Sequence, residues 1–122
     1  MRTSAYHGEM KTIIAGGRDI EDYDAVVTAV ELSGFEITEV VSGAARGVDS
    51  LGERWAEEHG IHVKQFPARW EKHGRKAGPL RNEEMAKYAD ALIAVWDGAS
   101  RGTENMIGHA TMNRLAVFVH EV

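Results

Sequence analysis

The residues of this sequence best suited to chemistry lie in four stretches rich in glycine and basic side chains. Glycine lets backbone N–H groups approach a ligand, and arginine presents planar, paired donors that match phosphate or carboxylate. The pattern therefore predicts an anion site, with the phosphate of a nucleotide as the leading candidate. The stretches are GGRD at 16–19, SGAARGVD at 42–49, the segment 67–81 and DGASRGTE at 97–104. They carry eight of the 14 lysine and arginine residues: Arg18, Arg46, Arg69, Lys72, Arg75, Lys76, Arg81 and Arg101.

The phosphate is expected against the backbone of 43–47 and of 102–103, and 16–18 is expected to form another wall of the site. The counter-charges expected beside the phosphate are Arg46, Arg81 and Arg101. The full set of candidate ligand contacts is Gly16, Gly17, Arg18, Ser42, Gly43, Ala44, Arg46, Gly47, Asp49, Arg81, Asn82, Asp97, Gly98, Ser100, Arg101, Gly102, Thr103 and Glu104.

Two aspartates and one tryptophan of these stretches each have two interpretations. Asp49 and Asp97 either cap a helix or turn or contact a ribose; capping is favoured for Asp49, and Asp97 is left open. Trp70 follows an arginine in a polar segment, so it either stacks on a base or anchors the loop. His73, in the same basic segment, is a further candidate contact.

Several other chemistries have no support in the sequence. There are no cysteines, which excludes disulfides, thiolate nucleophiles and cysteine metal sites. The six histidines show no paired ligand spacing, so we expect no metal and no cofactor. Ser42 and Ser100 have no recognisable His and Asp partners for a triad. GGRD is not the GxGxxG fingerprint, and no GxxxxGK[ST] loop is present, so neither NAD binding nor ATP hydrolysis is supported.

The elements that would position these stretches are short apolar strands alternating with amphipathic helices. Helical spacing runs from Tyr23 to Gly34 and from Val48 to Gly60, and Pro79 and Thr103 mark two further helix starts, Thr103 as N-cap. Trp55 and Trp96 are expected in the core, and 67–78 is expected to be a long polar loop. The predicted strands are 11–15, 39–43, 61–66, 91–96 and 115–119.

This alternation predicts the fold class α/β: a single Rossmann-like three-layer domain with a five-stranded, mostly parallel sheet. The domain is assigned to 11–122 and a flexible leader to 1–10, with Met10 a second candidate start of the chain. In such sheets, ligands bind beyond the carboxyl ends of the strands, and the four basic stretches follow predicted strands. They are therefore expected to meet at one edge.

Composition and net charge limit the classes of partner that the protein is expected to bind. Hydrophobic residues make up 43% and charged residues 27% of the chain, as in ordinary globular proteins. The net charge of −5 argues against a broad nucleic-acid-coating surface. No signal peptide and no membrane span is recognisable, so we expect a cytoplasmic protein without membrane contact.

Three motifs in order resemble the YspA/YpsA-related SLOG proteins: SGAARGVD, GPLRNEEMAKYADALIAVWDG and SRGTEN. The resemblance runs from Lys11 to Val119. These are small Rossmann-like domains of a superfamily that includes the LOG phosphoribohydrolases and the DNA-processing protein DprA. The resemblance implies binding of nucleotides, nucleotide-derived signals or nucleic acid at the glycine-rich edge.

The residues match the hydrolase pattern of the LOG enzymes only in part. That pattern has an arginine in an RKxxM segment, and Arg81 and Met85 match it, with Asn82 in place of the lysine. It also has an acidic residue shortly after a GGxGT loop. Asn105 occupies a position where that acid is expected, and Glu104 lies one place early.

The one-place offset matters because one residue turns a helix by about 100°. Gly102 and Thr103 match the GT, whereas Ser100 and Arg101 replace the preceding glycines. Glu104 is then aimed elsewhere, at the helix dipole or a ribose hydroxyl. Arg81 and Glu104 remain the catalytic candidates, without commitment.

The sequence thus leaves three functions, of which binding of a nucleotide or nucleotide-derived small molecule is favoured. The alternative is a LOG-like phosphoribohydrolase that cleaves the N-glycosidic bond of a nucleoside monophosphate. The second alternative, DprA-like binding of single-stranded nucleic acid, is less favoured because of the net charge. A homo-oligomer is a further expectation, since related folds commonly pair through helices.

Overall fold

Strands and helices alternate along the chain in the structure, a computed structural model that describes residues 9–122. Residues 1–8 of the predicted leader lie outside the described residues, and its last residue, Met10, is the buried first residue of the sheet. The elements are β1 (Met10–Gly16), α1 (Tyr23–Ser33), β2 (Ile37–Ser42), α2 (Val48–Glu58), β3 (His62–Gln65), α3 (Trp70–His73), a 3-10 turn (Gly74–Lys76), α4 (Ala77–Tyr88), β4 (Ala91–Trp96), α5 (Arg101–Met112) and β5 (Ala116–Glu121).

The five strands form one sheet in the order β3-β2-β1-β4-β5, and every neighbouring pair is parallel. The predicted five-stranded Rossmann-like domain is therefore confirmed. The chain order reverses between β1 and β4, which makes a topological switch point there. A crevice opens beyond the carboxyl ends at such a point, because the connections from the two strands lead to opposite faces of the sheet.

Two apolar layers hold the helices on the sheet. Ile14 and Val40 face α1 and α2, whereas Ile13 and Val41 face α4 and α5. The alternation follows from the two-residue period of a strand, and β4 is fully buried over residues 91–95 because helices cover both of its faces. Trp55 lies in the first of these layers, as predicted.

Two local predictions were wrong. The segment 67–78 is not a long loop: α3 and the 3-10 turn occupy residues 70–76, and α4 begins two residues before Pro79. The N-cap of α5 is Ser100 and not Thr103: Ser100 has extended backbone angles, and its hydroxyl accepts from the Thr103 amide at 3.4 Å. Thr103 itself is buried in the first helical turn.

No helix within residues 9–122 is both long enough and apolar enough to cross a lipid bilayer.

Candidate ligand-binding site

A cleft of about 820 Å³ opens at the carboxyl edge of the sheet, where the connections after β1 and β4 diverge. The loops after β1, β2 and β4 and the first turns of α4 and α5 form its walls. It is thus in the place that the switch point of the sheet dictates. The predicted contacts that line it are Gly16, Gly17, Arg18, Arg46, Asp49, Arg81, Asn82, Asp97, Ser100, Arg101, Gly102 and Thr103.

Other predicted contacts lie away from this cleft. Gly43 and Ala44 line a smaller adjoining cavity of about 310 Å³. Ser42 is fully buried, and its hydroxyl donates to Glu53 Oε2 at 2.6 Å. Glu104 is exposed on the first turn of α5 and lines neither cavity. Neither cavity is lined by Gly47, Gly98, Arg69, Lys72, His73, Arg75 or Lys76.

Arg81 and Asn82 at the floor of the cleft link three elements through hydrogen bonds. Arg81 Nη1 donates to the carbonyl of Gly43 after β2, and Arg81 Nε donates to Asn82 Oδ1 at 3.0 Å. Asn82 Nδ2 donates to Asn105 Oδ1 on α5 at 2.9 Å and contacts the Gly102 carbonyl at 3.4 Å. Both side chains are buried, Arg81 with 8% exposure and Asn82 with 7%. The network therefore fixes the guanidinium between the β2–α2 loop and the start of α5.

The Arg81 guanidinium retains one nitrogen for a ligand. Its two bonds use Nε and Nη1, and within residues 9–122 no acceptor is bound to Nη2. Burial lowers the pKa of Arg81, and the nearby Asp49 carboxyl opposes this change. An arginine stays charged even so, because the ordinary pKa of a guanidinium lies far above neutral pH. A buried positive charge with a free donor is a strong feature of an anion site.

Asp49 is a buried acid in the same cleft. Its carboxylate accepts from the Ala45 amide at 3.2 Å, so it stabilises the loop that precedes α2 instead of capping that helix. Burial raises the pKa of Asp49 to about 6, while the Ala45 bond and the charge of Arg81 act in the opposite direction. Near neutral pH, Asp49 is therefore close to its titration range.

The loops after β1 and β2 are packed directly against each other. The amide of Val48 donates to the carbonyl of Gly17 at 3.2 Å. Gly47, the N-cap of α2, has φ of 79°, and a Cβ there would collide with the Gly17 carbonyl and the Arg18 backbone. Only glycine adopts this positive φ readily and also leaves room for the neighbouring backbone. The amide of Val48, the first residue of α2, is consequently bonded to protein and is not free for a ligand.

The N-terminus of α5 is open to the cleft by contrast. Arg101 and Gly102 line it as the first two helical residues, whose amides have no acceptor within a helix. The positive end of the helix dipole lies at the same place. Asp97 stabilises the preceding turn by accepting from the amides of Ala99 and Ser100, and these bonds lower its pKa. Asp97 is thus a turn cap that also lines the cleft.

The rim of the cleft carries exposed cationic side chains and one aromatic ring. The guanidinium carbon of Arg18 lies 5.5 Å from the ring centroid of Trp70, which is 47% exposed. Arg46 pairs with Asp19 at 3.1 Å, with 73% and 93% of the two side chains exposed. Such an exposed pair is weak and costs little to break for a ligand. Trp96, which was expected in the core, is half-buried, and its indole N–H donates to the Ser100 carbonyl at 3.1 Å.

Sequence reasoning missed several residues of the cleft. Ile20 and Ala45 lie within the predicted stretches or beside them, and nothing in the sequence distinguishes them from their neighbours. Met85 and Met106 lie on helix faces that also serve the core, so their apolar spacing predicted packing alone. Asn105 was singled out only by its place in the hydrolase pattern and not as a ligand contact. Trp70, named above as a candidate for base stacking, also lines the cleft. The other residues that line it outside the predicted set are Ala15, Asp19, Ile20, Ala45, Gly78, Pro79, Met85, Ala99, Asn105 and Met106.

No three His, Asp or Glu side chains of residues 9–122 are grouped so that they could hold a metal ion.

Comparison with known proteins gives two matches. Residues 10–73 match the sequence model of a family described as the YspA, cpYpsA-related SLOG family. The Gene 61 protein of Mycobacterium phage D29 is 36% identical over 110 residues, an alignment that covers 82% of this chain and 87% of the phage protein. The family match spans more than half of the chain and includes the loops after β1 and β2. On this evidence, the chain belongs to the YspA, cpYpsA-related SLOG family.

Proposed function

We propose that the protein binds a nucleotide or nucleotide-derived ligand in the cleft, with a phosphoryl group between Arg81 and the N-terminus of α5. The single observation that carries this proposal is the buried Arg81 guanidinium, which keeps Nη2 free at the floor of the cleft. Membership of the SLOG family supports a nucleotide-related ligand in general.

Side chains, more than the glycine-rich backbone, would hold the phosphoryl group. The amides of Ala44 and Ala45 already donate to Ser42 Oγ and Asp49, and those of Ala99 and Ser100 donate to Asp97. The amides of Arg101 and Gly102 remain at the start of α5. They would act together with the guanidinium groups of the cleft.

The shape of the cleft also suits a nucleoside. Its volume of about 820 Å³ lies in the range of small-molecule sites. Apolar Ile20, Met85 and Met106 contribute to its wall, and Trp70 offers an exposed aromatic face. Base stacking on Trp70 with the phosphoryl group at Arg81 would use both kinds of surface.

Binding is better supported than hydrolysis. Glu104 is exposed and does not line the cleft, whereas a general acid must reach the leaving group at hydrogen-bond distance. Asn105 does line the cleft, but an amide cannot donate a proton as an acid does. The α5 position that the hydrolase pattern assigns to the acid thus carries no carboxyl group in the cleft, and the carboxyl groups that do line it, those of Asp19, Asp49 and Asp97, come from other segments.

The test is isothermal titration calorimetry with AMP and ADP on the wild-type protein and on two matched arginine variants. We expect saturable binding of at least one nucleotide, weakened about tenfold by Arg101→Ala, since one charge-assisted contact is lost. Arg75→Ala removes an exposed arginine that lies outside both cavities and should leave the affinity unchanged.

Absence of binding by both nucleotides, or equal effects of the two variants, would contradict the proposal. Chromatography of the same mixtures after prolonged incubation tests hydrolysis. We expect no free adenine from AMP; release that Glu104→Gln abolishes would support the phosphoribohydrolase instead.

A further inference from the structure

The small cavity beside the cleft has a strongly cationic wall. Its volume is about 310 Å³, and three arginines line it: Arg18, Arg46 and Arg81. The loop 43–45 and residues 67–68 complete the wall. Among the described residues that line it, none carries a carboxyl group, whereas Asp19, Asp49 and Asp97 line the main cleft. Asp19 pairs with Arg46 and Asp49 lies near Arg81, but both carboxyl groups belong to residues of the main cleft, so the lining of the small cavity itself is cationic.

Shared residues show that the two cavities adjoin. Arg18, Ala45, Arg46, Trp70 and Arg81 line both of them. The stacked pair of Arg18 and Trp70 thus lies at the boundary, with the guanidinium carbon 5.5 Å from the ring centroid. A single ligand can extend from one cavity into the other past this pair.

Arg81 also lies at the boundary between the two cavities, on the buried side of the site. Its Nη1 donates a hydrogen bond to the carbonyl of Gly43, a residue in the wall of the small cavity. Its neighbour Asn82 contacts the Gly102 carbonyl, which belongs to the wall of the main cleft. Within residues 9–122 Nη2 makes no hydrogen bond and is not buried from solvent, so it is free to donate to an anionic ligand.

We propose that the small cavity is a second anion subsite, which takes the terminal phosphoryl group of a nucleoside diphosphate or of a ligand with the same diphosphate unit. The first phosphoryl group then lies at the N-terminus of α5, and the nucleoside lies in the main cleft. The guanidinium of Arg81 reaches the diphosphate between the two groups. This inference rests on the proposed function and adds the class of ligand to it.

Ala68 allows a test confined to the small cavity, because this half-buried residue lines the small cavity and not the main cleft. Ala68→Glu places a negative charge beside the subsite, and Ala68→Gln adds nearly the same volume without charge. Calorimetry would compare AMP with ADP on the wild-type protein and on both variants. Thermal unfolding of the variants would establish that each is folded.

We expect ADP to bind the wild-type protein at least tenfold more tightly than AMP. Ala68→Glu should remove this advantage while leaving AMP affinity within about twofold, and Ala68→Gln should retain most of it. Loss of the advantage in both folded variants would also support the subsite, since either side chain fills the cavity. Equal affinities for AMP and ADP in the wild-type protein, or an advantage that persists in Ala68→Glu, would overturn the subsite but leave the proposed function standing. Absence of binding by both nucleotides would overturn the two proposals together.

Discussion

Asn82 Nδ2 lies 2.9 Å from Asn105 Oδ1, so two of the positions at which the sequence departs from the phosphoribohydrolase pattern are in direct contact. Asn82 stands where that pattern has a lysine, and Asn105 stands where it has an acid. The neutral pair preserves a link between α4 and α5 without placing a charge on either side. The contact explains why the two departures are compatible with each other and with a site that holds a ligand.

Asn82→Ala should destabilise the protein by about 1–3 kcal/mol, because it leaves the buried Nε of Arg81 and the half-buried side-chain amide of Asn105 without their partner. Urea unfolding would measure the loss. Asn113→Ala is the matched control: Asn113 is exposed, and its amide makes one bond to the His109 carbonyl. We expect a loss below about 1 kcal/mol there. Equal losses in the two variants would show that the Asn82 network contributes nothing particular.

Asp49→Asn should stabilise the protein near neutral pH. Burial raises the pKa of Asp49 to about 6, from 3.8 for an unperturbed aspartate. Between these values the folded state binds a proton that the unfolded state does not, so the stability falls as the pH rises from about 4 to 6. Asparagine is neutral throughout and can still accept from the Ala45 amide. We expect Asp49→Asn to gain about 1–3 kcal/mol of stability at pH 7.5 and nothing below pH 4.

Asp97→Asn is a control for the Asp49 variant, because the expected change in the free energy of unfolding has the opposite sign. Amide bonds from Ala99 and Ser100 lower the pKa of Asp97, so its contribution to stability is present above the unfolded pKa and is lost on acidification. This variant should therefore be less stable than the wild type at pH 7.5. Urea unfolding at pH 4 and 7.5 would measure both variants. A stability difference between Asp49→Asn and the wild type that does not change with pH would show that the buried carboxyl does not titrate in this range.

The sequence was sufficient for most of the fold because local patterns encode each element. Strand β4 coincides with the predicted 91–96, and Gly34 ends α1 with φ of 70°, as its position predicted. The strand order was not predictable, since β3-β2-β1-β4-β5 depends on which faces the helices cover. The helices of residues 70–76 were missed because a four-residue helix shows too little apolar periodicity to identify.

The candidate site was predictable to the extent that parallel strands bring their carboxyl ends to one edge. Arg18, Arg46, Arg81 and Arg101 line the cleft for that reason. The basic residues of 69–76 do not, because the turn of α3 directs the chain away after Trp70. Helical rotation separates Glu104 from Asn105, so that only the latter lines the cleft. The burial of Asp49 depends on tertiary packing, which no local pattern records.

Gly43→Ala should destabilise the protein by about 1–3 kcal/mol and weaken nucleotide binding, because a Cβ there would lie 2.5 Å from Arg81 Nη1 and 2.7 Å from Asp49 Oδ2. The methyl group would displace the guanidinium from the Gly43 carbonyl. Gly108→Ala is the control, since nothing lies within 4 Å of a Cβ at this exposed position in α5. It should stabilise the helix by about 0.5–1 kcal/mol and leave binding unchanged. Urea unfolding and calorimetry with ADP would measure both effects; unchanged binding in Gly43→Ala would remove Arg81 from the site.

Trp70→Ala should lower the affinity for AMP about tenfold, because stacking of a base on an aromatic ring contributes about 1–3 kcal/mol. Trp70 is 47% exposed at the boundary of the two cavities, and the Arg18 guanidinium already stacks on its ring. Trp70→Phe retains an aromatic face and should recover most of the affinity. Ribose 5-phosphate, which has the phosphoryl group but no base, should bind the wild type and Trp70→Ala alike in calorimetry. An equal loss for AMP and ribose 5-phosphate would mean that Trp70 positions Arg18 for the phosphoryl group and does not contact the base.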